Sequence, residues 1–463
     1  MSQHTRITDR GPSFEFMRKI TENPDAKIHF VGIGGVSMYS LARLAMSGSV
    51  RVTGSDREQT DRTERLKQLG IVVFNEHKAE NVCGSDLVVY THAISPDNEE
   101  LIYARNNGIP TVSRAEYLGA LMQGYKNRIG ISGSHGKSTT VAMLDKIMSL
   151  AGVEPTVLSG AELEDGDPLK IGSRGLMIYE SCEYKDSFLK FSPTISVGLN
   201  LELDHTDYFD DLADIRRSFK RALGKATEFA VINGDDSNFR SILGDLQTKV
   251  VTFGARSDNL YRYEITSFYE NGIEFSLSKH GSEIGRFNLN IPGAFNVNNA
   301  VAAAVTSIEY GIDIDIIRQA IAEFSGVPRR LERVGQRRSR AVYYDYAHHP
   351  TEILASIDAL KILTHEPLTV IFKPHTYSRT KGLWREFVSS LKTADYLILT
   401  DIYPARESPI EGVTSERLAV EIGGKAIYCR DEDVADILDK RTSGTIVIMG
   451  AGDMESIKKE VLK

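Results

Sequence analysis

The octapeptide Gly133-Ser134-His135-Gly136-Lys137-Ser138-Thr139-Thr140 puts two glycines, a lysine and four hydroxyls into eight positions. Glycines let a backbone close around phosphate oxygens. A lysine ammonium can meet β- and γ-phosphates, and the hydroxyl of Ser138 suits Mg²⁺. A purely structural glycine turn is the alternative, because Ile131 stands where the common phosphate-loop spacing has a glycine. Two polar clusters follow apolar runs further on, Glu180-Ser181-Cys182-Glu183 and Asn200-Leu201-Glu202-Leu203-Asp204-His205. A strand-end carboxylate, an imidazole and Ser138 would make a mostly oxygen Mg²⁺ site. Capping or surface roles are the alternative for any one of these residues taken alone.

Other stretches carry weaker signals. Gly32-Ile33-Gly34-Gly35 after an apolar run, with Asp56 ending the next one, has the form of a dinucleotide turn with an acid for a ribose hydroxyl. NAD is its default ligand, although Ser37 takes the place of the third glycine. Asn296 and Asn299, three apart on a helical pattern, can read an adenine edge while Phe295 stacks on the ring. Helix capping is the other reading of Asn296. A basic run, Arg329, Arg330, Arg333, Arg337, Arg338 and Arg340, follows the hinge-like Gly326-Val327-Pro328. Arg330 is the first choice for a phosphate clamp, and the remainder are expected on the surface. Tyr344–Pro350, Pro374–Thr380 and Tyr403–Glu407 are polar clusters at three consecutive strand ends, which points to one cleft.

The elements that must hold these residues read as α/β. Strands are expected at 27–31, 51–54, 71–74, 87–90 and 110–112, with helices between them as in a parallel sheet. A second series is expected at 129–132, 175–179, 194–198 and 229–232, and alternation from Tyr261 to Ile291 around Asn271-Gly272 signals a hairpin. Helices are expected from Gly293 to Tyr310 and from Ile314 to Phe324, and a third βαβ series at 342–346, 368–373, 396–400 and 445–449. With 463 residues the chain is too long for one core. It divides into three domains, 1–125, 126–326 and 327–463: Rossmann-like, central phosphate-loop ATPase-like with a mostly parallel sheet, and Rossmann-like again.

Composition excludes several classes. The net charge of −8 speaks against a broad nucleic-acid surface. No apolar run nears the roughly 20 residues of a membrane span, and the polar start from Met1 to Lys27 lacks an apolar stretch and does not read as a signal peptide. Cys83, Cys182 and Cys429 are scattered and odd in number, as free thiols in a reducing cytoplasm would be.

From Lys27 to its end the chain resembles the Mur ligase family. The resemblance rests on Gly32–Gly35 with Met38, Gly133–Thr140, Glu183 with Ser187-Phe188-Leu189, and Asp204-His205. It continues with Gly293, Asn296 and Asn299-Ala300, Asp345-Tyr346 with His348-His349-Pro350-Thr351-Glu352, and the 374–380 and 403–407 segments. It implies that the first domain holds a UDP-sugar in place of NAD, with Gly32, Gly34 and Gly35 at the diphosphate and Asp56 nearby. It also implies Mg-ATP on the central domain: Gly133, Ser134, His135, Gly136, Lys137, Ser138 and Thr139 at the phosphates, with Phe295, Asn296 and Asn299 at the adenine. Ser138, Glu183 and His205 would be the metal ligands, Glu180 being second choice for the carboxylate. Lys137, Arg330, Asp345 and His348 would carry the catalytic work, and Asp345, Tyr346, His348 and Arg379 the amino-acid side.

The activity so implied is ATP-dependent joining of L-alanine, or a similar small amino acid, to the carboxylate of UDP-N-acetylmuramate, by a cytoplasmic monomer or homodimer. Ser37, Ser134, Ser138, Phe295, Tyr344 and Ala347 depart from the family pattern, the last two beside the amino-acid pocket. A ligase that attaches a recycled murein peptide to the same UDP-sugar shares the phosphate loop and the His-His-Pro segment. A dinucleotide-dependent dehydrogenase and a non-catalytic nucleotide-binding regulator are the readings from other classes.

Overall fold

A computed structural model describes residues 12–205, 208–269 and 272–463. Three sheets are strung along the chain. The first is wholly parallel, in the order Val72–Phe74, Arg51–Ser55, Lys27–Val31, Leu87–Tyr90, Thr111–Ser113. Met38, Leu41, Leu44 and Ala45 of the helix Val36–Met46 are buried against it, as their 3–4 spacing requires.

The second sheet has ten strands. Its parallel body centres on Asn127–Ser132, flanked by Ile195–Gly198 and Leu176–Glu180. This neighbourhood makes the site: all three strands end at the same edge, so the phosphate loop leaves between the two polar clusters. The expected hairpin is a three-stranded antiparallel meander, Tyr261–Tyr269, Gly272–Lys279 and Ser282–Leu289. Asn271 of its turn lies outside the described residues. The strand Lys249–Gly254 and the short pair Thr156–Leu158 and Leu169–Lys170 are additional to the sequence reading.

The third sheet runs Glu332–Arg337, Arg340–Asp345, Thr445–Met449, Leu368–Phe372, Tyr396–Leu399, Ala426–Tyr428, with only the first pair antiparallel. Its first hairpin is built from the basic run, which corrects the surface expectation for Arg337 and Arg340 and keeps it for Arg333 and Arg338. Arg337 pairs with both oxygens of Asp439 at 3.0 and 2.9 Å and donates to the carbonyls of Glu460 and Val461. Arg340 donates to the carbonyls of Gly444 and Leu438 and to the hydroxyls of Thr369 and Thr442. Several of these carbonyls close helices, whose last turns lack donors of their own. Only Arg333 and Arg338 are exposed.

The N-terminal helix Phe14–Thr21 packs on Arg114–Leu121, with Met17 buried and the Thr21 hydroxyl 2.7 Å from that of Tyr117. One apolar core runs from this helix through the first sheet into the central domain at Tyr179, Phe188, Phe219 and Ile232. Among the described residues no helix is long and apolar enough to cross a membrane.

Candidate functional site

Three cavities lie in a row. The largest, about 850 Å³, is lined by Gly32, Gly34, Gly35, Asp56, Arg62 and His77 among others. It meets a second, of about 400 Å³, at Val36, Arg62, Gly160, Glu180 and Cys182. The second holds Gly136, Lys137, Ser138, Glu183 and His205 together with Arg330, Tyr346, His348 and Arg379 from the third domain. A third, of about 200 Å³, shares His135, Gly136, Arg330 and Glu352 with the second and carries Phe295, Asn296, Asn299 and Thr139.

In the first cavity the glycines shape the turn, but their amides are spent. Gly32 and Ile33 donate to the Ser55 carbonyl, and Gly34 donates to Asp56 Oδ2 at 2.8 Å. A side chain at Gly34 would press on that carboxylate at 2.9 Å. The groups left for a diphosphate are the amides heading Val36–Met46, where the helix dipole also favours an anion. Asp56 therefore pins the loop, and Arg62 Nε donates to the Gly34 carbonyl from the other side.

The phosphate loop is similarly divided. Asn200 clamps His135, accepting from its N–H at 2.8 Å and donating to its carbonyl at 3.0 Å, while Ser134 N–H donates to the Asn200 carbonyl. The expectation of phosphate-facing amides at Ser134 and His135 is corrected: those open are at Gly136–Thr139, which head the helix Lys137–Leu150. Gly136 is left-handed at φ 84°, and the carboxamide of Asn299 fills the place of a side chain there. Lys137 Nζ donates to the carbonyls of Gly133 and Ser134 and lies 3.2 Å from Glu183. Burial works against that ammonium, and the acidic groups around it, Glu183 foremost with Cys182 and Glu180, together more than offset it, so the lysine stays protonated.

Glu183 is 1% exposed and held below the usual carboxylate range, since Lys137 and His205 outweigh its burial. His205 Nε2 is 3.5 Å from it, and Asp204 accepts the His205 N–H at 2.7 Å while that residue sits at φ 54°. Buried oxygens of Ser138 and Glu183 and the single nitrogen of His205 form a donor set that suits Mg²⁺. Glu180 instead accepts from Gly160 N–H at 2.6 Å where the first two cavities join.

The third domain contributes through its strand ends. The guanidiniums of Arg329 and Arg330 both lie over the Tyr346 ring, 4.8 and 4.9 Å from its centre. His348 Nδ1 lies 3.0 Å from the Tyr346 carbonyl, and burial pushes this imidazole down to about 4, so it is neutral near pH 7. His348, His375 and Tyr403 form a run of ring contacts across the three expected clusters. Arg379 donates to Asp204 at 3.3 Å, joining third domain to central.

Asp345 needs correction: it lines the third cavity and is absent from the second, and its oxygens are already engaged. They accept from the amides of Ala347 and Leu331 and from the Ser356 hydroxyl. Burial raises it to about 6 against the pull of Arg330. It shapes the loops on either side of Arg330 and is not an open carboxylate on the amino-acid side.

Asn296 and Asn299 are both buried and bonded to each other at 3.1 Å, and Asn296 Nδ2 donates to the Pro292 carbonyl. Phe295 packs against the third-domain core beside them. The roles of Asn200, Glu202 and Glu352 are additional to the sequence reading; their signal was only their place within the recognised segments.

Profiles of the Mur ligase family match this chain in three blocks: the family's catalytic domain at residues 27–126, its middle domain at 131–307 and its glutamate ligase domain at 329–452. A UDP-N-acetylmuramate–L-alanine ligase of Caldicellulosiruptor bescii is 40% identical over 447 residues, covering 94% of this chain and 98% of that protein. One from Alkaliphilus metalliredigens is 38% identical over 445 residues, covering 94% and 96%. The structure of UDP-N-acetylmuramate-alanine ligase from Thermotoga maritima is similar with a TM-score of 0.79 and 28% identity, covering 94% of this chain and 98% of that one. A murein peptide ligase from Psychrobacter arcticus shares the fold, with a TM-score of 0.74 at 24% identity and the same coverage. The chain belongs to the Mur ligase family.

Proposed function

We propose that this chain is an ATP-dependent ligase that joins the amine of L-alanine to the carboxylate of UDP-N-acetylmuramate, a step of peptidoglycan precursor synthesis in the cytoplasm. The observation that carries the reading is the row of three joined cavities. A UDP-sugar in the first directs its carboxylate past Glu180 and Cys182 towards the phosphate loop, and a nucleotide reaches the same point from the third. Both curated relatives described above bear the name of an L-alanine ligase, which favours alanine over a recycled peptide.

The chemistry begins with attack of the carboxylate oxygen on the γ-phosphorus. The bond to the β-phosphate oxygen breaks, ADP leaves and an acyl phosphate forms. The amine then adds to the acyl carbon, and the tetrahedral adduct expels phosphate with one former carboxylate oxygen. Two anions must meet in the first step; at about 4 Å and an effective dielectric of about 20 they repel by about 4 kcal/mol. Lys137, Arg330 and Arg379 supply the opposing charge, and phosphoryl transfer is mainly a matter of such positioning and stabilisation.

Ser138, Glu183 and His205 would hold Mg²⁺, which neutralises phosphate charge when bound. To neutral His348, which lines the same cavity as Lys137 and Arg379, we assign acceptance of the proton that the incoming ammonium must lose. The third domain, closed over the loop, shields the acyl phosphate from water. The test is phosphate release with ATP, UDP-N-acetylmuramate and a panel of amino acids and the murein tripeptide. Release with alanine supports the reading, and release with tripeptide alone overturns it.

A further inference from the structure

The phosphate-loop imidazole of His135 lies between two carboxylates from different domains. Nδ1 is 3.0 Å from Glu352 Oε1 of the third domain, and Nε2 is 3.4 Å from Glu202 Oε2 of the central domain. A carboxylate can only accept, so both contacts are hydrogen bonds only when both ring nitrogens carry protons. Glu352 also receives the backbone N–H groups of His348 and His349, capping the helix Pro350–Thr364, and lies 4.0 Å from Arg330. Glu202 accepts from the Thr351 hydroxyl at 2.8 Å. The residues that bring Arg330 and His348 to the nucleotide are thus tied to the phosphate loop through one ring.

We propose that His135 is a positioning residue: its imidazolium fastens the third domain to the phosphate loop and so holds Arg330 and His348 over the reacting groups. This rests on the ligase reading above only for what those groups act upon. The backbone of His135 is fixed by Asn200 irrespective of its side chain. A neutral substitution therefore spares the loop but leaves Glu202 and Glu352 facing each other without a cation between them.

The charged or titratable groups facing the ring are Glu202 from the central domain and Glu352 and His349 from the third, with Arg330 and His348 against Glu352. Lys137, on the same loop, turns to Glu183. Burial opposes the charge on His135, and the two carboxylates raise it to about 9. Docking then takes up a proton. It is fully supported below the ordinary histidine pKa near 6.5 and is lost as pH rises through about 9.

The experiment compares wild type with His135→Gln, Glu352→Gln and the double variant. A donor–acceptor dye pair on the central and third domains reports docking without substrates, and steady-state kinetics report turnover. We expect His135→Gln to widen the interdomain distance and to lower kcat about tenfold with the KM for the UDP-sugar unchanged. The double variant should be no worse than the worse single one, since the pair acts as a unit. The alkaline limb of kcat near pH 9 should vanish in His135→Gln. Adding Glu202→Gln to His135→Gln should restore part of the docking.

Wild-type docking and kcat in His135→Gln, or additive losses in the double variant, would overturn the proposal. If wild type has no ligase activity yet the dye distance still depends on His135, the ligase reading fails and the latch stands.

Discussion

The ammonium of Lys137 and the carboxylate of Glu183 lie 3.2 Å apart, the carboxylate almost wholly buried. A cation suited to terminal phosphates and an anion suited to a metal thus neutralise one another in the structure described here. A bound Mg-nucleotide would give each a new partner. The pair keeps two opposite charges in a buried place without leaving either uncompensated, which would be strongly destabilising.

Lys137→Ala is accordingly expected to lower ATP turnover by about 10²–10³-fold, the loss typical of one preorganised electrostatic contact. Its far-ultraviolet dichroism well below the melting transition should match wild type, while its melting temperature falls because buried Glu183 loses its cation. Turnover near the wild-type rate in this variant would remove the phosphate loop from the reaction.

Glu183→Gln and His205→Ala should each shift the Mg²⁺ dependence of phosphate release to higher concentration, as Glu183 meets Lys137 of the phosphate loop and His205 meets Glu183. Magnesium titrations superimposable on wild type for both variants would place the ion elsewhere.

Arg330 follows the hinge and stacks on Tyr346, with its guanidinium also near Glu352. Arg330→Ala should lower kcat at least about tenfold while ATP affinity, read by isothermal calorimetry, changes little, because a contact made mainly in the transition state falls on kcat. A large loss of affinity at constant kcat would contradict this role.

Glu100 anchors the first domain. It is wholly buried and accepts from Ser55 and Asn81, with His77 and His29 against its two oxygens. Burial pushes its carboxyl up, but these partners prevail and hold it at about 2. A depressed pKa gives stability that is present above about 4.5 and is lost as pH falls towards 2. The linkage contributes about 3 kcal/mol at neutral pH. Glu100→Gln should melt lower than wild type at pH 7, and the gap should close between pH 4.5 and 2. A gap independent of pH would refute the assignment.

Much of this was legible in the chain because the signals are local. The strand Lys27–Val31, the phosphate loop and the helix Ala294–Tyr310 are set by neighbours a few positions away, through apolar periodicity and glycine punctuation. Partnerships between distant positions were not legible. His135 meets Glu352 across 217 positions, and the amides of Ser134 and His135 are taken by Asn200, a residue that carries no motif of its own. Asp345 looked like an open carboxylate because sequence does not report that three donors converge on it. Arg337 and Arg340 looked solvated because the helix-end carbonyls of Leu438, Glu460 and Val461 that they meet lie about a hundred positions away.

The central claim, that a carboxylate takes the γ-phosphoryl group beside Lys137, is tested most directly with oxygen-18. UDP-N-acetylmuramate labelled in both carboxylate oxygens is turned over with ATP and L-alanine, and the released phosphate is examined by mass spectrometry. An acyl phosphate requires each phosphate to carry one labelled oxygen, with the other retained in the amide. Unlabelled phosphate would mean that water or another group accepts the phosphoryl, and the account would fail.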